Sequence, residues 1–269
     1  MIVARESDGL CVVLQVDHQE QCRLAACAWG NGAFSRPDPW EPVQIAAAVH
    51  DEGWRPWEAI PQIDANGRPM DFPDLPRQHH VEMYEAGISA AEGHGPEVGL
   101  LVSMHGLGLY RARMGLDGPA RDLDALPSVV QGFVRAQLAR QERLWSVLGD
   151  EPVRREWAWA AYRLLQAWDG LSLYLTWRGL PQGRDGRLPS APRHSSDDPG
   201  RDLSLRPVDP RTAICDPFPF AGDEAVLPVC ARVIPDRVYT SHDDMRAELG
   251  AAPTEHRSYR IIPPAATDA

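Results

Sequence analysis

Along most of this chain, apolar residues recur at the three-to-four-residue spacing of a helix. Asp17 reads as an N-cap, with Glu20 as its capping-box partner, for a first helix through Gln21-Cys-Arg-Leu-Ala-Ala-Cys-Ala-Trp that stops at Gly30-Asn-Gly. A second starts at Pro42, a residue suited to a first turn, runs through Val43, Ile45, Ala46 and Val49, and ends at His50-Asp-Glu-Gly. A third is expected over 78–93. A fourth follows Pro96, with Val98, Leu101, Val102, His105 and Leu109 on one stripe. Two longer helices are expected near 128–148 and 153–178, the second the most apolar of all.

Between these runs, residues 54–77 read as an ordered loop, because Trp54 and Trp57 need somewhere to pack. Residues 115–127 also read as loop. Leu10-Cys-Val-Val-Leu suits a short strand or entry segment. Residues 179–202 are full of Gly, Pro, Ser, Arg and Asp and read as a surface loop. From 203 onward the pattern changes to short β-rich runs, such as Ala225-Val-Leu-Pro-Val-Cys-Ala-Arg-Val-Ile. The expectation is a mainly α, all-alpha core over 1–178, a loop over 179–202, and a small C-terminal β element over 203–269 packed on the helices. No internal repeat is apparent.

Composition narrows the function. The chain has 269 residues and a formal net charge of −11, and its basic residues are all arginine. That balance argues against binding nucleic acid, which needs a basic surface. The lack of lysine excludes a Schiff-base nucleophile and a P-loop lysine. No apolar run reaches the roughly 18 residues of a membrane span, and the N-terminus lacks a signal-peptide pattern. The expectation is a cytoplasmic protein with no membrane partner. Five cysteines, without any C-x-x-C pair, read as buried thiols rather than a disulfide framework or a zinc site.

The chemistry lies in histidines and carboxylates. His50 and Asp51 adjoin at a helix end, where an imidazole and a carboxylate can reach one metal ion. Asp169 sits inside an apolar helix, where a bare carboxylate is expensive to bury. A partner arginine, a serine or tryptophan hydrogen bond, or a metal cation would each neutralise it. His105 lies on the apolar stripe of the fourth helix, a place where a lone histidine is more often a satisfied core residue than a ligand. His80 is in phase with Met83, Tyr84, Gly87 and Ile88, whereas its neighbour His79 is not. His18 lies in the first turn of the first helix. Arg55, Arg77, Arg111 and Arg113 supply candidate positive charge, and Arg55 follows the His-Asp pair closely enough to be a candidate catalytic residue together with Asp51.

In chain order these residues run H…HD…H…H…D, and the sequence resembles the HD-domain superfamily. That resemblance implies an HD-domain-like helical bundle. It also implies one metal held by His18, His50, Asp51 and Asp169, and a second held by Asp51, His80 and His105. The implied cofactor is two divalent transition-metal ions: iron, manganese or zinc. Many members carry a lysine or histidine three residues after the HD aspartate, where this chain has Trp54. Over residues 1 to about 264 the chain also resembles an uncharacterised bacterial group, domain-of-unknown-function family 3891. The matching pieces include Gln15-Val-Asp-His, His50-Asp-Glu-Gly-Trp, His80-x-x-x-Tyr-x-x-Gly-Ile, Leu100-Leu-Val-Ser-Met-His and Trp168-Asp-Gly-Leu-Ser-Leu.

Two enzymatic readings follow from the superfamily. One is hydrolysis of a phosphate ester by metal-activated water, with an arginine stabilising the phosphoryl oxygens. The other is a mixed-valent di-iron oxygenase of the inositol-oxygenase-like branch. A third reading is a non-enzymatic, metal-stabilised binding protein. The expected partner is a small, anionic molecule, and the sequence leaves the oligomeric state open.

Overall fold

A computed structural model describes residues 1–193 and 199–265. About half of the chain is helical, and the rest is organised by a seven-stranded, curled sheet. The strands are β1 (Ile2–Glu6), β2 (Gly9–Val13), β3 (Gly186–Ala191), β4 (Arg201–Asp209), β5 (Thr212–Asp216), β6 (Ala225–Ile234) and β7 (Glu255–Ile262), in the order β1-β2-β6-β7-β5-β4-β3. All neighbours are antiparallel except β5 and β7, so the sheet is mixed.

This sheet overturns the expected mainly α, all-alpha, HD-like bundle with a small C-terminal β element. The N-terminal residues form a hairpin, Ile2 opposite Val13, and β2 then pairs with β6 through Leu10 and Ile234. Two short strands at one end of the chain carry little signal by themselves. Their partner lies more than two hundred residues away, a non-local pairing that periodicity cannot reveal. β3 likewise falls within the stretch expected to be loop, because its composition is that of a turn; its strand character comes from pairing with β4.

The helices are α1 (Gln15–Ala28), α2 (Glu41–Val49), α3 (Arg55–Glu58), α4 (Arg77–Glu92), α5 (Pro96–Tyr110), α6 (Ser128–Leu148), α7 (Pro152–Leu173) and α8 (His242–Ala251). Among the described residues no helix is long and apolar enough to cross a membrane. α5 is the hub. It is buried on nearly every face and packs against α2, α4, α6 and α7. α7 passes directly into a π-helical turn, Tyr174–Arg178. α1 begins at Gln15 rather than after Asp17, and no side chain of its own caps it. Glu58 does so instead: its carboxylate accepts from the Gln15 amide at 2.7 Å and the Val16 amide at 3.5 Å. A tertiary partner thus satisfies the helix start that the sequence places at Asp17.

One continuous apolar core joins helices and sheet, running from Ile2 and Val13 through Trp29, Trp54, Leu101 and Trp168 to Leu205, Leu227 and Tyr259. A smaller cluster lies between the β1–β2 hairpin and α8. Burial of Leu and Trp side chains at this scale contributes about 1.5–3 kcal/mol each, and it binds the sheet to the helices as one unit.

Candidate metal centre

Five helical segments converge on one buried point. α1 brings His18, the end of α2 brings His50 and then Asp51, α4 brings His80, α5 brings His105, and α7 brings Asp169. A tight backbone approach makes this possible. Gly53, in the 3-10 turn Glu52–Trp54, lies against α4, where a Cβ would come within 2.0 Å of the Met83 carbonyl oxygen. A Cβ on Gly87 would meet the Gly53 nitrogen at 2.9 Å. Only two glycines allow the His-Asp turn to sit this close to the helix that carries His80 and Tyr84.

His18, His50, Asp51, His105 and Asp169 stand together. The His18 Nε2 lies 3.2 Å from Asp169 Oδ1 and 3.8 Å from Asp51 Oδ2. The His50 Nε2 lies 3.7 Å from the same Asp51 oxygen. The rings of His18 and His50 are 5.5 Å apart, and those of His50 and His105 4.9 Å. Two sets offer ligand atoms within 4.8 Å of one another: His18 with Cys22 and His50, and His50 with Asp51 and His105. His80 belongs to neither set, but it lines the same cavity. Its neighbour His79 is on the outside, half exposed, against Glu82 and Trp57. Arg55 is also outside: it is exposed, is paired with Glu52, and does not line the cavity.

Each histidine is held from behind through Nδ1. His50 donates to the Ala47 carbonyl at 3.0 Å. His18 Nδ1 meets Ser172 Oγ at 2.7 Å, and that hydroxyl donates onward to Gln21 Oε1 at 2.6 Å. The serine oxygen must therefore accept, so His18 carries its proton on Nδ1. His105 Nδ1 lies 2.8 Å from the Gln166 amide, whose Oε1 is otherwise buried without a partner. Turning that amide over lets Oε1 accept from Nδ1, so that His105 presents Nε2, and leaves the amide nitrogen in the position without a partner. His80 Nδ1 is held by the Tyr110 hydroxyl. Metal-bound histidines show this arrangement, in which the distal nitrogen is tied so that the other can ligate. The His50 Nε2 is the decisive atom. It is fully buried and has no hydrogen-bond partner among the described residues. Such an orphan costs about 1–3 kcal/mol unless something binds there. The donor set of imidazoles and carboxylates fits a divalent transition metal.

Asp169 is already balanced without a metal. Burial alone would raise its carboxyl, but His18 and the Arg113 guanidinium, 3.2 Å from Oδ2, hold it well below the usual carboxylate range. Burial would also lower His18. The adjoining Cys22 and Asp169 outweigh that and hold it well above the usual histidine range. His80 and His105 are pushed down to about 4, chiefly by burial, which leaves both neutral and available as ligands or bases.

The family model described as a protein of unknown function, DUF3891, matches residues 1–236. The chain belongs to this family. No curated protein and no solved structure matches it.

The site of this DUF3891 protein opens onto a cavity of about 290 Å³. Asp51, His80, Tyr84, His105 and Asp169 form its buried wall. Arg77, exposed at the outer end, and Arg113 supply positive charge. Several participants escape a reading of the sequence. Tyr84, one turn after His80, donates to Asp51 Oδ1 at 2.8 Å. Gln19 accepts from the Asp51 amide at 3.0 Å. On α7 and the π-helical turn that continues it, the polar stripe Gln166, Asp169, Ser172 and Thr176 was the available signal, because polar residues three and four apart on an apolar helix share one buried face.

Proposed function

We propose that this protein is a metal-dependent hydrolase acting on a small anionic substrate, with a phosphate ester as the favoured class. The observation that carries this reading is the cavity wall. Buried imidazoles and carboxylates face the same space as Arg77, a cation with no carboxylate partner among the described residues. Such an arginine suits the forked recognition of phosphoryl oxygens. A divalent cation at the histidine cluster would supply Lewis acidity and a water acidic enough to attack at neutral pH.

The chain's own residues supply the rest. His50 and Asp51 would hold the cation, and of the two Asp51 lines the cavity. Arg113 keeps Asp169 ionised, and Arg77 orients the anion from the rim. His80, neutral at physiological pH, can accept a proton from attacking water or return one to the leaving oxygen. Trp177 and Phe72 wall the opening and exclude bulk water.

The test is metal analysis of the purified protein, followed by assay against phosphomonoesters and phosphodiesters in Mn(II), Fe(II) or Zn(II). Phosphate-ester cleavage that disappears with chelator and weakens in Arg77→Ala is the expected result. A di-iron, mixed-valent protein that consumes dioxygen without cleaving phosphate esters would overturn it in favour of oxygenation.

A further inference from the structure

The cavity at the histidine cluster has a neighbour. Arg113, Leu173 and Trp177, which line it, also line a second cavity of about 340 Å³. The two spaces therefore meet at these three side chains. Sheet and helix build the second one together. β3 supplies Arg187 and Leu188, and the π-helical turn after α7 supplies Tyr174, Trp177 and Arg178. Glycines let these elements close on one another: a Cβ on Gly186 would lie 2.5 Å from Tyr174 Cδ2, and one on Gly170 would lie 3.1 Å from Leu188 Cδ2.

The arginines of the second cavity are not equally available. Arg113 pairs with Asp117 and Asp169, each at 3.2 Å, and Arg187 pairs with Asp202 at 2.6 Å. Arg178 is exposed and has no carboxylate partner among the described residues, in a chain whose formal net charge is −11. Trp177 orders it instead. The Arg178 guanidinium carbon lies over the indole, 3.9 Å from the ring centroid. Trp177 is itself fixed, since its Nε1 donates to Asp71 at 2.8 Å and its ring packs 4.7 Å from that of Phe72. Stacking covers one face of a guanidinium and leaves its N–H donors free in the plane of the group, so the fork is pre-organised for an oxyanion. Arg77 is the corresponding cation of the first cavity. Each cavity thus holds one guanidinium that no carboxylate neutralises, and Trp177 stands at the junction.

We propose that the substrate is a bis-anionic ester. Its phosphoryl group lies in the first cavity and a second oxyanion, phosphate or carboxylate, lies on Arg178 in the second. β3 and the π-helical turn then form a specificity subsite, the part of the site that the sheet contributes. This inference rests on the reading of the first cavity as a phosphate-ester site.

The experiment is calorimetric titration of the purified protein in Mn(II) with alkylphosphonates and with α,ω-alkanebisphosphonates of the same chain lengths, none of which carries an ester bond to cleave. At the spacer that spans the junction, the bisphosphonate should bind about tenfold more tightly than its monophosphonate, the worth of one charge-assisted hydrogen bond. Arg178→Gln should abolish that ratio, and Arg178→Lys, which keeps the charge without the fork, should retain part of it. Arg77→Gln should weaken both series. Arg178 is exposed, so its replacement leaves the core intact. An advantage at every spacer no greater than the statistical one of having two equivalent ends would overturn the inference. So would an advantage that survives in Arg178→Gln. Failure of both series to bind the folded, unaltered protein would instead overturn the phosphate-ester reading of the first cavity, a distinct outcome from equal affinities.

Discussion

The contact between Gly53 and Gly87 makes the geometry of the site testable through stability. Replacing Gly87 by alanine in α4 has two opposed effects. Alanine is favoured over glycine in a helix interior by about 1 kcal/mol. Against this, the new Cβ would lie 2.9 Å from the Gly53 nitrogen and 3.2 Å from its Cα. Both are backbone atoms, so no rotamer change can relieve the clash. Overpacking of this kind costs about 1–3 kcal/mol, and the balance is a net loss of about 1 kcal/mol. Gly132, on the exposed face of α6, provides the control. A Cβ there meets nothing within 4 Å, so Gly132→Ala should gain about 1 kcal/mol. Urea denaturation of the metal-free proteins should therefore separate the two variants by about 2 kcal/mol. Gly87→Ala should also bind metal more weakly, because Asp51 and Tyr84 sit on opposite sides of the displaced contact. If Gly87→Ala were as stabilising as Gly132→Ala, the close approach that places Asp51 would be refuted.

His50→Ala removes the imidazole common to both ligand sets. The unaltered protein should gain about 2.7 kcal/mol of stability at a metal concentration of 100 Kd, and thermal denaturation should show none of that gain in the variant. Ser172→Ala takes away the acceptor that fixes the His18 tautomer, and calorimetric titration should show affinity about 10–100-fold weaker. In the metal-free protein, Cys22 and Asp169 hold His18 protonated well above the usual histidine pKa, against the effect of burial. Metal must displace that proton, so apparent affinity should rise with pH through neutrality, and titrations in buffers of different ionisation enthalpy should report proton release. Equal heats in all buffers would contradict it.

Helical periodicity made the helices that carry the candidate ligands legible, and it placed His80 and His105 on buried stripes whose phase can be read locally. His80 differs from His79 by a rotation of one residue, and that rotation separates a buried cavity residue from an exposed one. Arg55 is placed by tertiary structure rather than by its position in sequence. It lies close in sequence to Asp51, yet the 3-10 turn at Glu52–Trp54 directs it to the surface and to Glu52. Arg77 and Arg113, distant from the His-Asp pair in sequence, line the cavity instead. The strands at Leu10–Val13 and Ala225–Ile234 were legible one by one, but their union in a single sheet was not. β1 is short, β3 has the composition of a turn, and the β2–β6 pairing spans more than two hundred residues, which no local pattern encodes.

The sheet is nonetheless part of the site's support. Gln21, which accepts from Ser172 behind His18, is itself anchored by donating from Nε2 to the Leu227 carbonyl of β6 at 3.0 Å. Asp71 accepts from the Val3 amide of β1 at 3.0 Å and from the Trp177 indole at 2.8 Å, tying a sheet edge to the wall of the cavity. A helical bundle alone would leave His18 free to choose its tautomer and Trp177 free to turn. The strands at the N-terminus and the strand near residue 227 therefore contribute to the same buried centre from opposite ends of the chain. Metal binding should consequently stabilise sheet and helices together, since neither can be lost without releasing a side chain that the centre needs.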